Sequence, residues 1–163
     1  MLARYITFGL ALALSACSPQ AAREPAAADR QQSVHPVSGL DVVPLSVTSG
    51  EAVHKFTVEV ARTSEDQAKG LMFRTELGAD EGMIFPRSNP AVASFWMKNT
   101  PLPLDIIFVG TDQKILNIAA NTIPYSLDPV SAIGPTALVF EIAGGRSAEL
   151  GIKAGDTVEW QDR

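Results

Sequence analysis

The sequence predicts a mainly β domain, an antiparallel sandwich or partly closed barrel of jelly-roll type with one or two short helices. Three observations lead there. The stretch His54-Lys55-Phe56-Thr57-Val58-Glu59-Val60-Ala61-Arg62 alternates strictly, with His54, Phe56, Val58 and Val60 on one face and Lys55, Thr57 and Glu59 on the other, the period of a half-buried strand. Short apolar runs then recur between turn-forming residues. Helical signals are confined to two brief segments, Ser64–Gly70 and Gly145–Gly151.

The chain of 163 residues does not all belong to that domain. Met1–Ala16 carries Arg4 and then the apolar run Ile6–Leu14, too short to span a bilayer and too apolar for an exposed tail, which reads as a secretory signal. Leu14-Ser15-Ala16-Cys17 resembles the lipobox of bacterial lipoproteins, and Cys17 is the single cysteine. The expectation is a lipid on Cys17 that anchors the mature chain in the bacterial cell envelope, facing the periplasm. Ser18 in place of an aspartate points to the outer rather than the inner membrane. Residues 17–44 then form the lipidated cysteine and a flexible tether, because their Ala, Pro, Gln and Ser follow no period and bury too little to offset ordering entropy. A tether of ~25 residues reaches on the order of 25–30 Å.

Removing residues 1–16 takes one arginine and no acid from 13 basic and 18 acidic side chains, leaving a net charge of −6. No basic stripe is available for phosphates, so nucleic acid is not an expected partner. With no cysteine after Cys17, a disulfide framework, a thiolate metal site and a cysteine nucleophile are all excluded from the body.

Residues 45–163 form the single β-rich domain. After the strand at His54–Arg62, Ser64-Glu65-Asp66-Gln67 has capping-box spacing, with Ser64 as N-cap and Gln67 reaching back, and Gly70 ends the helix. Further strands are expected at Gly82–Phe85, Val92–Lys98, Asp105–Val109, Lys114–Ala120, Ala137–Ile142 and Thr157–Trp160. Gly110-Thr111-Asp112-Gln113 closes a hairpin. Asn121–Pro135 contains Pro124, Pro129 and Pro135 without a steady period and reads as one long loop. Gly145–Gly151 makes a helical turn and Gly155 a tight turn into the last strand.

Gly70-Leu71-Met72-Phe73-Arg74, Glu81-Gly82-Met83-Ile84-Phe85, Phe95-Trp96-Met97-Lys98-Asn99-Thr100, Pro103-Leu104-Asp105-Ile106-Ile107-Phe108 and Gly151-Ile152-Lys153-Ala154-Gly155-Asp156 resemble the bacterial and archaeal family called domain of unknown function 192. The likeness covers about residues 53–160. It implies a β-rich domain of jelly-roll type, frequently exported, and implies no reaction.

The candidate site is built on the longest of these motifs. Trp96 supplies a stacking face, Lys98 a cation for a carboxylate or phosphate, and Asn99 and Asp105 directional hydrogen bonds, with Arg74 and Glu81 on the rim. The competing reading is architectural: Lys98 and Asp105 pair to close the proline-stiffened connection, and Asn99 makes a local turn. Catalysis is harder to build, since His35 lies in the tether and His54 sits on a strand, leaving no base beside a serine. Met72, Met83 and Met97 suit Cu(I), but each is embedded among apolar residues and reads as packing, so neither metal nor other cofactor is expected. The function expected is a non-catalytic binding module for an anionic or carbohydrate-like envelope ligand. The alternatives are a hydrolase or lyase using Asp105 or Glu81, and a structural or protein-docking domain. Oligomeric state is left open.

Overall fold

The computed structural model describes residues 33–161. The signal segment, Cys17 and the tether up to residue 32 lie outside the described residues. Eight strands and two short helices follow in the order β1 (Ser33–Val34), β2 (Asp41–Ser49), β3 (Ala52–Val60), α1 (Ser64–Lys69), β4 (Glu81–Phe95), β5 (Leu104–Gly110), β6 (Ile115–Ala119), β7 (Val130–Ala143), α2 (Arg146–Leu150) and β8 (Thr157–Trp160). The mainly β class expected from the sequence is the one found.

The strands form one mixed sheet in the order β1-β2-β3-β4-β7-β5-β6, with β8 pairing to β2. It curls into a half-barrel, and the isolated bridge between Lys114 and Thr157 brings β8 against the start of β6. All pairings are antiparallel except β3 with β4, where Thr57–Val60 run alongside Glu81–Ile84. That parallel pair requires a crossover, and residues 61–80 with α1 supply it.

The sheet is buried on both faces at its centre, around β5 and the adjoining parts of β4 and β7. On the inner face lie Leu45 and Val47 of β2, Phe56 and Val58 of β3, Ile107 and Val109 of β5, and Phe140 and Ile142 of β7. On the outer face Met83 and Phe85 of β4, Leu104, Ile106 and Phe108 of β5, and Val139 of β7 pack under Leu71 and Met97 from the covering loops. This is why β4, β5 and β7 contain near-continuous apolar runs rather than alternation. Each fully buried Phe or Ile contributes roughly 1.5–3 kcal/mol. Edge-to-face ring pairs lock each layer, Phe56 with Phe140 at 5.2 Å inside and Phe85 with Phe95 at 5.1 Å outside. Gly82 lets β4 and β7 approach: a Cβ there would lie 2.5 Å from the Glu141 carbonyl oxygen and 2.8 Å from the Phe140 ring.

Several boundaries differ from expectation. The body begins before residue 45, because β2 starts at Asp41 and β1 pairs Ser33 with Val42, so the last part of the predicted tether is sheet. The capping box is shifted by one residue: Thr63 Oγ1 accepts from Asp66 N at 3.1 Å, and Asp66 Oδ2 accepts from Thr63 N at 3.3 Å. Gln67 instead donates to the carbonyls of Ala61, just after β3, and Pro86 of β4, pinning α1 between them. The expected strands at 82–85 and 92–98 are one bent strand, β4, with a register shift between Pro86 and Ala91, and it ends at Phe95 rather than Lys98. The predicted loop at 121–135 is shorter, since β7 starts at Val130 and pairs it with Phe95.

Candidate functional site

Asp105 is the first candidate that the structure relocates. It has the parity of Ile107 and Val109 and lies opposite Ile142, so it points to the inner side, away from the face that Trp96 borders. It is fully buried. Its Oδ1 accepts from the backbone N–H of Asn121 at 2.7 Å and of Gly145 at 2.9 Å, and its Oδ2 from the N–H of Ser147 at 2.8 Å and from the Ser147 hydroxyl. Asp105 thus ties β5 to the start of α2 and to the loop after β6. Neither the ion pair with Lys98 nor a place in an open pocket beside Trp96 is found.

Lys98 is exposed, with its Nζ 5.2 Å from the centre of the Trp96 ring. Asn99 adopts φ 54°, its carbonyl accepts from Phe73 N at 2.8 Å, and its Nδ2 lies 3.8 Å from Met72 Sδ. Arg74 is engaged away from this rim, donating to Glu59 Oε1 at 2.8 Å and Oε2 at 2.7 Å. Ser38 donates to the same carboxylate and His35 Nε2 stands 3.6 Å from it. Glu81 accepts from Gly78 N at 2.9 Å and is exposed. Of the six predicted residues, Trp96, Lys98 and Asn99 are neighbours, while Arg74, Glu81 and Asp105 serve separate structural contacts. The three methionines do not converge either: Met83 is sealed in the outer core, and Met97 Sδ accepts from Thr122 Oγ1. Among the described residues, no group of three His, Cys, Asp or Glu side chains could hold a metal ion.

Beside Trp96 lies a cavity of about 320 Å³. Phe85, Leu104 and Glu141 come from the sheet beneath it, Gly70–Met72 follow α1 on one wall, and Phe95–Met97 leave β4 on the other. Glu141 was not among the predicted site residues. It sits on β7 between Met83 of β4 and Ile106 of β5, with only 5% of its surface exposed, and makes no hydrogen bond or ion pair among the described residues. Burial raises its carboxyl from 4.5 to about 8. The group is therefore predominantly protonated at neutral pH. The sequence did carry a signal, an acidic residue inside the apolar run Leu138-Val139-Phe140-Glu141-Ile142 of a strand with no solvent face.

The loops around the cavity hold unusual backbone. Phe73, Asn99, Asn121 and Tyr125 all have positive φ, four of the five non-glycine residues that do so among the described residues. Such conformations cost of order 1–3 kcal/mol each and persist where surrounding structure imposes them. Here the loops brace one another, with Phe73 N bonded to Asn99 O, Tyr125 N to Thr100 O and Met97 N to Ser126 O. Phe73, Trp96, Ile123, Tyr125 and Leu127 are left exposed on these loops.

The chain belongs to the family of domain of unknown function 192, described as an uncharacterized ACR, whose model matches residues 45–160. Among solved structures it is similar to a protein of unknown function from Novosphingobium aromaticivorans, 62% identical with a TM-score of 0.77, over 78% of this chain and 91% of that one. It is also similar to a Sinorhizobium meliloti protein described as "a putative transcription regulator", 32% identical with a TM-score of 0.72, over 74% of this chain and 95% of that one. No curated protein matches the chain.

Proposed function

We propose that the domain is a non-catalytic binding module of the bacterial cell envelope, held there by lipid on Cys17, with its ligand in the cavity beside Trp96. The observation that supports this is Glu141, a polar group nine-tenths buried that borders a cavity and has no partner among the described residues. Buried polar groups are almost always hydrogen-bonded, and one left open at a cavity is a place for an incoming group. The cavity walls offer Phe95, Trp96 and Met97 to an apolar or sugar-like surface, and the braced loops supply a preformed shape.

The carboxyl at the floor changes the expected ligand. A carboxyl in an apolar setting disfavours an anion beside it, so the reading shifts from an anionic ligand to a neutral, carbohydrate-like or cationic one. Lys69 and Lys98 are exposed, outside the floor.

Trp96 fluorescence tests this reading, in a Trp160→Phe background that leaves one tryptophan. Neutral monosaccharides and small organic ammonium ions are expected to perturb its emission, and Trp96-distant controls such as acetate are not. Perturbation by carboxylic acids alone would place recognition on the lysines and overturn the cavity reading. Membrane fractionation of Cys17→Ser tests the anchor: release to the soluble fraction is expected, and retention opposes it.

A further inference from the structure

We infer that the cavity takes an organic ammonium ion, with its cationic head on Glu141 and its apolar skeleton against Phe85, Phe95, Trp96 and Met97. This deepens the binding-module reading and rests on it.

The sheet itself supplies the comparison. Glu59 of β3 and Glu141 of β7 each lie opposite Met83 of β4, so the two carboxyl groups share one row and one face with a single strand between them. Glu59 is 3% exposed and Glu141 5%. For Glu59 the chain provides a guanidinium, Arg74, at 2.7 Å, with Ser38 as a further donor. For Glu141 none of the described residues provides a partner, and the carboxyl borders the cavity instead. A hydroxyl or an amide would serve a purely neutral ligand with far less desolvation; a carboxyl gains most when a cation meets it.

The remaining lining agrees. Aromatic faces attract ammonium groups, and Trp96 already has one, the Lys98 Nζ at 5.2 Å. Met72 and Met97 add polarizable thioethers beside the rings. Lys69, the one charged side chain besides Glu141 in the lining, is exposed, where solvent screens its charge from the floor. Burial holds this carboxyl at about 8, so an ammonium arriving at neutral pH displaces its proton and forms an ion pair like that of Glu59 with Arg74.

The probes are benzylammonium and its neutral counterpart benzyl alcohol, titrated calorimetrically into the purified protein at neutral pH in two buffers of different ionisation enthalpy. Benzylammonium is expected to bind more tightly than the alcohol and to release close to one proton per molecule bound. Glu141→Gln, which keeps size and shape, should weaken benzylammonium by about tenfold or more and leave the alcohol unchanged. Should that variant fold poorly, the preference of the unaltered protein for benzylammonium over benzyl alcohol still decides the matter. Tighter binding of the alcohol, or ammonium binding undiminished in Glu141→Gln, overturns the ammonium assignment while the cavity remains a ligand site. Absence of binding by both probes, with Trp96 emission unmoved, overturns the cavity reading as well.

Discussion

Ser147, in the first turn of α2, gives both its backbone N–H and its hydroxyl to one carboxylate oxygen of Asp105, which lies 42 residues earlier on β5. The other oxygen of Asp105 takes the N–H groups of Asn121 and Gly145. One buried side chain thus sets three backbone segments. A helix of five residues could not hold its position by propensity alone.

Asp105→Asn should therefore be a stability variant. The amide turns an NH₂ toward donors and loses the charge-assisted bonds, at an expected cost of about 3 kcal/mol in urea unfolding. Unchanged stability would mean that these bonds contribute nothing net.

Lys98→Met should behave in the opposite way. The ammonium is exposed and, among the described residues, touches only the Trp96 face, so its loss is expected to change stability by less than ~1 kcal/mol. A fall of several kcal/mol would reveal a partner for Lys98 and restore the architectural reading of that motif.

Arg74→Met removes the cation from a carboxylate that is 3% exposed. Breaking one side of a buried pair costs about 3–5 kcal/mol, and thermal denaturation should show it. His35 and Ser38 approach the same carboxylate, so the N-terminal turn should also become more accessible to proteolysis. A native melting temperature with an undisturbed turn opposes this assignment.

Glu141 makes stability depend on pH. Its carboxyl is raised from 4.5 to about 8 by burial, so below the lower value it is protonated in folded and unfolded chains alike and has no effect. As pH rises between the two values, only the unfolded chain gives up the proton, and folding loses up to about 1.4 kcal/mol per pH unit. Above the higher value the loss levels off. Glu141→Gln should abolish this slope, so that the variant gains on the native chain steadily from about pH 5 to 8. Parallel stability curves would show that the carboxyl is better solvated than its position indicates. The slope opposes a structural role for Glu141 and is consistent with a residue kept for a ligand.

Local pattern made much of the fold legible. The alternation at 54–60, the Gly110–Gln113 hairpin, the closing glycines at 70 and 151 and the last strand at 157–160 are found where they were expected. Each depends on interactions within a few residues or on the two-residue period of a strand. Glu59 shows where that local pattern stops: alternation puts it opposite Val58 and Val60, on a face that is open to solvent only if nothing covers it. The chain that follows β3 does cover it and brings Arg74 to its carboxylate.

The amino-acid sequence by itself determined the β class, most strand positions, the acidic balance and the motif that names the family. Tertiary structure alone decided which polar residue serves the fold and which faces a cavity. Asp105 and Glu141 each interrupt an apolar run, and nothing local distinguishes them. Strand parity and the sheet order turn Asp105 toward the backbone donors around α2 and Glu141 toward the space beside Trp96. A carboxyl's role follows from the donors that meet it, and here those donors, or the cavity in their place, come from segments distant in the chain.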